Sequence, residues 1–392
     1  MNRYFLDLHI HIGRTLGDQA VKITASRDLR FFNIVREAAD RKGIDIVGII
    51  DAVSPPVLSE IRDLITAGEL VPLPGGGLSY QNKTTVLLGA EVETTGPHGG
   101  AAHFGIWMAD VPAMQEFSDW LAMLITNPVL SSQRARCSAL QLQEKVSELN
   151  GLFIVNHAFT PHKSVYGNCV NRLSEMLDVS KITALELGLS ADSQLADLFS
   201  EHDNLTYVSN SDAHSLAKIG REYNRIETAG CSFTDVKQAL LRQDGHRVIA
   251  NYGLAPKLGK YHRTYCLHCE EVVQAEPPVF ICPMCGGKRV VQGVIDRVTA
   301  IADRTVSKSP VHRPPYHYQV PLEFIPGIGK KMMDRLLAVF GTEMNILHQA
   351  TEQQLRETAG ERIARDIVLA RTGQLELSAG GGGKYGKALE SE

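Results

Sequence analysis

The sequence predicts an α/β fold: a barrel of mainly parallel strands covered by helices, then a small cysteine module and a helical end. Three observations carry this. Strand-like and helix-like segments alternate through residues 1–256, the pattern of parallel strands joined by covering helices. Ionisable residues recur at or just after the C-terminal ends of those strands, the edge where α/β barrels carry their chemistry. Two C-x-x-C pairs stand between Cys266 and Cys285, which is metal spacing. A doubly wound sheet would put ligands at the same edge. The barrel is preferred because so many successive strands contribute.

Tyr4–Ile10 alternates apolar and polar residues, a strand signal. Side chains two apart share a face, so His9 and His11 project together, with Asp7 one pleat earlier. Two buried imidazoles side by side suggest a divalent metal; a hydrogen-bonded core pair is the alternative. Leu29–Lys42 reads as a helix, with Phe32, Val35, Ala38 and Ala39 on its apolar positions. Ile44–Ile50 is an apolar strand ending at Asp51, and Thr85–Ala90 another ending at Glu91. His103–Met108 follows. Ala113–Thr126 and Leu140–Asn150 look helical. Leu152–Val155 ends at Asn156-His157, Ala184–Leu187 at a Gly188-Leu189-Ser190 turn, and Leu205–Val208 at Ser209 to His214. Thr234–Leu241 is a further helix.

At 392 residues, 44% of them hydrophobic, the chain suits two or three soluble domains. No apolar run is long enough for a membrane span and no signal peptide is indicated, so a cytoplasmic (nucleoid-associated) location is expected. The formal charge of −4 is uneven. Residues 1–256 hold 22 Lys and Arg against 29 Asp and Glu, whereas residues 257–374 hold 16 against 12. An acidic first part suits metal-binding carboxylates; a basic second part is compatible with an anionic partner or a solvated surface. Cys137, Cys169 and Cys231 are scattered and read as buried small residues.

Seven residues at strand ends carry ligand chemistry: His9, His11, Glu91, His103, His157, Asp212 and His214. Mixed imidazole and carboxylate donors suit zinc, manganese or iron, and Glu91 is placed to bridge two ions. The run Asp-Leu-His9-Ile-His11, Gly-Ala-Glu91, Asn-His157 and Ser-Asp212-Ala-His214 resembles the polymerase-and-histidinol-phosphatase (PHP) family. That resemblance implies a distorted seven-stranded barrel, two or three metal ions and phosphoester hydrolysis. It implies that His9, His11, Glu91 and Asp212 hold one ion, Glu91, His103 and His157 a second, and His214 belongs to a third. Family members often carry Thr-Asp-His after the second strand; here the text is Ile50-Asp51-Ala52-Val53, leaving Asp51 as the candidate. Zinc is expected ahead of magnesium or manganese. Asp18, His98, His162 and Glu186 are nearby candidates for supporting or solvent-facing roles.

Cys266-Leu-His-Cys269 and Cys282-Pro-Met-Cys285 read as a zinc ribbon over 257–303: four thiolates close a tetrahedral shell, so one structural zinc is expected. A basic Pro- and Tyr-rich linker spans 304–322; its Arg304, Lys308, Arg313, Tyr316 and Tyr318 suit either unpaired bases or a plain tether. Residues 323–375 are helical. Pro326-Gly327-Ile328-Gly329-Lys330-Lys331 ahead of Met332–Phe340 looks like a helix-hairpin-helix, in which Gly327 and Gly329 let the backbone approach a phosphate and the two lysines add charge. A degraded second hairpin follows at Ala359-Gly360. Residues 376–392 form a glycine-rich tail.

The order of modules, with Gly188 to Asp192 and the terminal Gly380 to Gly386, resembles the endonuclease Q family over nearly the whole length. The resemblance implies DNA cleavage 5′ of hypoxanthine, uracil, xanthine or abasic sites, leaving 3′-hydroxyl and 5′-phosphate ends, with His9, His11, Glu91 and Asp212 as the catalytic set. Expected partners are double- or single-stranded DNA carrying deaminated bases; a sliding clamp is a candidate recruiter, and a monomer is expected. A phosphatase of small monoesters and a non-catalytic DNA-binding repair scaffold are the alternatives.

Overall fold

The computed structural model describes residues 1–375 and 383–385. The predicted glycine-rich tail thus lies outside the described residues except for Gly383–Tyr385.

β1 (Asn2–Ile10) is followed by α1 (Phe31–Arg36), which runs on through a wider π-type turn to Lys42. Next come β2 (Ile46–Ile49), α2 (Pro55–Thr66), β3 (Val71–Pro72), β4 (Leu78–Tyr80), β5 (Thr84–Thr95) and β6 (Ala101–Met108). After these stand α3 (Val111–Ala122), α4 (Ala139–Glu148), β7 (Leu152–Val155), β8 (Ala184–Glu186), the short α5 (Ser193–Ala196) and β9 (Tyr207–Val208). β10 (Tyr223–Thr228), α6 (Phe233–Leu241) and β11 (Arg247–Gly253) complete the first part.

The main sheet runs β11-β10-β1-β2-β5-β6-β7-β8-β9. It curls until the chain just beyond β9 returns to β1: His11 N donates to Ala213 O (3.1 Å) and Ala213 N to His9 O (3.0 Å). This closure puts β1 and the Asp212 loop side by side. Trp107 fills the interior, fully buried among Leu6, Leu8, Ile154 and Val208. Gly48, Gly89 and Gly105 make room for its indole; a Cβ on Gly105 would stand 2.3 Å from the Trp107 ring. Each such buried large side chain contributes about 1.5–3 kcal/mol.

Two expectations about this part change. The sheet is mixed: β5–β6 and β6–β7 are antiparallel. The physical reason at β5–β6 is the connection, Gly96–Gly100, since a parallel return needs a crossover of about a dozen residues. Nor does the sheet stay within residues 1–256, because β15 (Tyr316–Tyr318), from the predicted linker, joins β11 in parallel.

That linker is pinned to the barrel. Arg304 makes a two-pronged contact with Asp203 (2.7 and 2.6 Å). Arg313 is buried, pairs with Asp197 at 2.9 Å and lies 3.4 Å over the Tyr207 ring. Tyr318 donates to Asp192 at 2.8 Å. Of the two readings left open by the sequence, these contacts favour the tether.

The cysteine module is a three-stranded sheet of β12 (Tyr265–Cys266), β13 (Glu271–Val272) and β14 (Val290–Val291), followed by α7 (Val294–Ile301). Arg297 on α7 donates to Tyr166 O (2.7 Å) and Val170 O (3.1 Å), docking the module on the barrel. Four helices close the described fold: α8 (Lys330–Phe340), α9 (Glu343–His348), α10 (Glu352–Ala359) and α11 (Glu361–Arg371). Lys42–Glu343 (2.9 Å) and Tyr223–His348 (2.6 Å) fasten α9 to the barrel. No helix among the described residues is long and apolar enough to cross a membrane.

Candidate metal centre

The end of β1 brings His9 Nε2 within 3.3 Å of His11 Nε2. Asp212 Oδ1 lies 3.5 Å from the first and 3.4 Å from the second. Glu91, from the middle of the long β5, faces both imidazoles at 3.4 and 3.8 Å. Its Oε1 also stands 3.0 Å from His103 Nδ1 and 3.6 Å from His157 Nε2. His9, His11 and Asp212 therefore form one group of converging donors, and Glu91, His103 and His157 another. Glu91 sits between them, and His214 Nδ1 approaches Asp212 Oδ1 at 3.4 Å from outside.

Every imidazole of the first group is held from behind. His9 Nδ1 meets Glu186 Oε2 at 3.0 Å, and Glu186 also accepts from Asn210 Nδ2 (2.8 Å) and His157 N (3.1 Å). His11 Nδ1 meets Asp51 Oδ2 at 3.0 Å, and the same oxygen accepts from Ile12 N at 2.7 Å. A carboxylate behind an imidazole sets the tautomer and leaves Nε2 forward as a donor to a cation. Asp7 does not join the donors; it ties β1 to the Asp212 loop by accepting from Ser211 N (3.1 Å) and Gly220 N (3.0 Å).

The electrostatics follow from this crowding. Burial pushes the Asp212 carboxyl up, but the surrounding imidazoles, His9 foremost, hold it well below the usual range. Glu91 likewise stays ionised despite burial, held by His103 and by Lys22, whose Nζ is 3.0 Å away. Burial lowers His9, yet Glu186 and Asp212 raise it well above the ordinary imidazole value. Such acids and imidazoles favour charge that a divalent cation would supply in place of protons. The backbone is strained at two donors: His157 (φ 29°) and Asp212 (φ 45°) sit at positive φ, a cost of about 1–3 kcal/mol each that packing must sustain. Nitrogen and oxygen donors in two triads, each with two buried members and one partly exposed, fit zinc, manganese or iron.

Beside the donors opens a cavity of about 440 Å³, lined by His157, Asp212, His214, Lys218, Arg221 and Lys260 among others. Arg221 donates to Ser211 O (2.6 Å) and Asp212 O (3.2 Å), clamping the loop, and to the Tyr385 hydroxyl (2.8 Å).

In the cysteine module the four Sγ atoms converge, Cys266–Cys285 at 3.7 Å and Cys269–Cys282 at 3.9 Å. At the helical end Gly327 takes φ 89°, where a side chain would also meet the Arg362 guanidinium at 2.6 Å. Lys330 and Lys331 stand exposed at the start of α8.

No protein-family model matches this sequence. The lesion-specific endonuclease PfuEndoQ from Pyrococcus furiosus superposes over 100% of this chain and 96% of its own, with TM-score 0.85 and 31% identity. The chain belongs to the endonuclease Q family. Endonuclease Q solved with a 27-mer duplex bearing an abasic lesion at its active site matches with TM-score 0.84 and 30% identity, over 100% of this chain and 97% of that one. The uncharacterized protein YqxK of Bacillus subtilis (strain 168) is 46% identical over 390 residues, 99% of both chains.

Within this endonuclease Q fold, the predicted residues separate into three positions. His9, His11, Glu91, His103, His157 and Asp212 come together in the two triads. His214 flanks them. Asp51, predicted among the ligands, lies behind His11 and outside both groups: its Oδ2 meets His11 Nδ1 and Ile12 N, while its buried Oδ1 has no hydrogen-bond partner among the described residues. Glu186 takes the matching supporting place behind His9. Asp18 and His98 face solvent with Arg30 (3.1 Å) and Glu175 (3.6 Å), and His162 lies edge-on to Tyr261. Sequence reasoning missed Lys22 and Glu93, and quoted Asn156 only as the neighbour of His157, although its Nδ2 donates to Glu91 Oε1 at 3.3 Å. Glu93 lies 3.3 Å from His103 and is lowered to about 2, burial being outweighed by His103, Arg134 and Lys163. Its place two residues after Glu91 on one strand face was a usable signal; Lys22, in a loop, offered none.

Proposed function

We propose that this endonuclease Q chain is a metal-dependent DNA repair endonuclease that hydrolyses the phosphodiester 5′ of a deaminated base (hypoxanthine, uracil or xanthine) or an abasic site. The products are a 3′-hydroxyl and a 5′-phosphate. The observation that carries the reading is the pair of triads at one barrel edge, with Glu91 of the second facing His9 and His11 of the first, on a fold that matches lesion-acting relatives end to end.

His9, His11, Glu91 and Asp212 would hold one divalent ion, Glu91, His103 and His157 a second, with His214 available to a third; zinc is favoured, magnesium or manganese being the other candidates. Such ions supply charge neutralisation at the phosphodiester and a lowered water pKa. The chain's own residues do the rest. Glu186 and Asp51 keep the two imidazoles oriented, and Lys22 adds a fixed cation beside Glu91. Arg221 holds Asp212 in its strained conformation. The cavity beside Asp212 offers space for an extruded base, whose unpairing is least costly at a lesion. Gly327, Gly329, Lys330 and Lys331 would grip backbone phosphates without reading sequence. Cys266, Cys269, Cys282 and Cys285 would hold one structural zinc.

The test is a set of end-labelled duplexes carrying one hypoxanthine, one uracil, one abasic site or none, with zinc, magnesium or manganese. A single nick 5′ of the lesion is the expected result. An uncut lesion duplex with every metal, alongside hydrolysis of a small phosphate monoester, would move the reading to a phosphatase.

A further inference from the structure

A second cationic surface lies at the other end of β1. His9 is six residues from Arg3 along the strand, about 20 Å at the usual rise, so the two regions are separate. On β10 and β11, Ile226 and Val248 point into the core, and Arg225, Glu227 and Arg247 point the other way. Together with Arg3 and Arg242 they line an open groove of about 640 Å³, within the range of ligand pockets.

The groove holds four arginines against one lining carboxylate, Glu227. Arg3 (3.2 Å) and Arg247 (2.8 Å) share that carboxylate, and both remain mostly exposed. Arg225 lies 5.3 Å over the Phe5 ring, and its Nε has no hydrogen-bond partner among the described residues. His246, 7% exposed, also lines the groove; neither of its ring nitrogens has a hydrogen-bond partner there, Asp235 standing 3.9 Å from Nε2. This excess of positive charge sits within the part of the chain that is acidic by composition.

The groove also has an aromatic ladder. Tyr223, Tyr252 and His317 stack across three neighbouring strands, at 4.9 Å between the first pair and 4.8 Å between the second. His317 is the exposed outer rung. A small anion would leave that ring unused, whereas an unpaired base offers a π-face to stack on it.

We propose that this groove binds a single-stranded stretch of nucleic acid, its phosphates on Arg3, Arg225, Arg242 and Arg247 and a base stacked on His317. Phosphate-tracking arginines beside an aromatic ring are the general means of gripping unpaired strands. The proposal does not rest on the reading of the metal centre.

The test uses the full chain, without added metal, and a short fluorescein-labelled, lesion-free single strand followed by anisotropy. The variant R225Q/R247Q should bind about tenfold more weakly. Its slope of log affinity against log salt should be shallower by about 1.4, from about 0.7 per lost phosphate contact. The same variant should still nick a short lesion duplex at the wild-type rate if the wild type nicks it. A 4-thiothymidine strand should cross-link to the peptide holding His317 or Tyr252. Unchanged affinity and slope in the variant, with no such cross-link, would overturn the proposal. Displacement of the strand by an equal concentration of thymidine monophosphate would overturn it in favour of a free nucleotide. Arg225→Gln alone, which breaks no hydrogen bond at Nε, serves if the double variant is unstable.

Discussion

The barrel edge and the cysteine module gather metal-ligating side chains in opposite ways. At the barrel edge the donors are the last layer of a large structure. His9, His11 and Glu91 are almost fully buried, the imidazoles held by Glu186 and Asp51 and the carboxylate by Lys22 and Asn156, on a scaffold with a core of its own. In the module the donors are the structure: its buried cluster contains only Cys266, Val273, Val279 and Cys282. One site would use a metal for chemistry and the other for folding.

The sharpest separation is expected from Asp212→Asn and His9→Ala. Each should reduce nicking of a lesion duplex on the order of 10³-fold or more while leaving the thermal unfolding of the barrel in place. A variant that still cuts at the wild-type rate would remove the barrel edge from the comparison. Next is Cys282→Ser, which should expose residues 260–303 to protease with the barrel still protected. Structural zinc supplies about 10–16 kcal/mol in such modules, far beyond what four small buried side chains replace. A module that stays protected after this change would show it folds by packing alone.

A smaller effect is expected at Glu186. Glu186→Gln should weaken metal binding about 10- to 100-fold, read by titration calorimetry, with the fold unchanged. The barrel also tolerates a cost unrelated to metal. Glu222 is fully buried, its Oε2 has no hydrogen-bond partner among the described residues, and burial pushes its carboxyl up to about 8. The native chain therefore holds this proton more tightly than the unfolded chain. The linked stability is present below about pH 4.5 and is lost as pH rises towards 8. The unfolding temperature of Glu222→Gln should fall less than that of the wild type over that window. The smallest effect is expected from Lys330→Ala, which should lower the salt slope of duplex binding by about 0.9; an unchanged slope would detach the α8 hairpin from DNA.

What could be read in advance was uneven for physical reasons. His9 and His11 stand out because a strand puts alternate residues on one face, and the cysteine pairs because their spacing is local. Asp51 was drawn into the ligand set by its strand-end position, yet its hydrogen bonds turn it to the rear of His11. The linker's arginines and tyrosines carried two readings; the buried Asp197 beside Arg313 and the β11 edge beside Tyr316–Tyr318 favour the tether for these residues, and neither is near them in the chain. β6 was legible as a strand, but its antiparallel direction follows from the length of the turn before it.

The sequence by itself determined which atoms can bind metal and the order of modules, because residue chemistry and short spacings are properties of the chain. The tertiary structure alone decided that Lys22 faces Glu91, that Glu186 backs His9, and that Arg3, Arg225, Arg242 and Arg247 share one groove. Electrostatic fields add over distance in space, and residues more than two hundred positions apart, such as Arg3 and Arg225, become neighbours only when β1 pairs with β10.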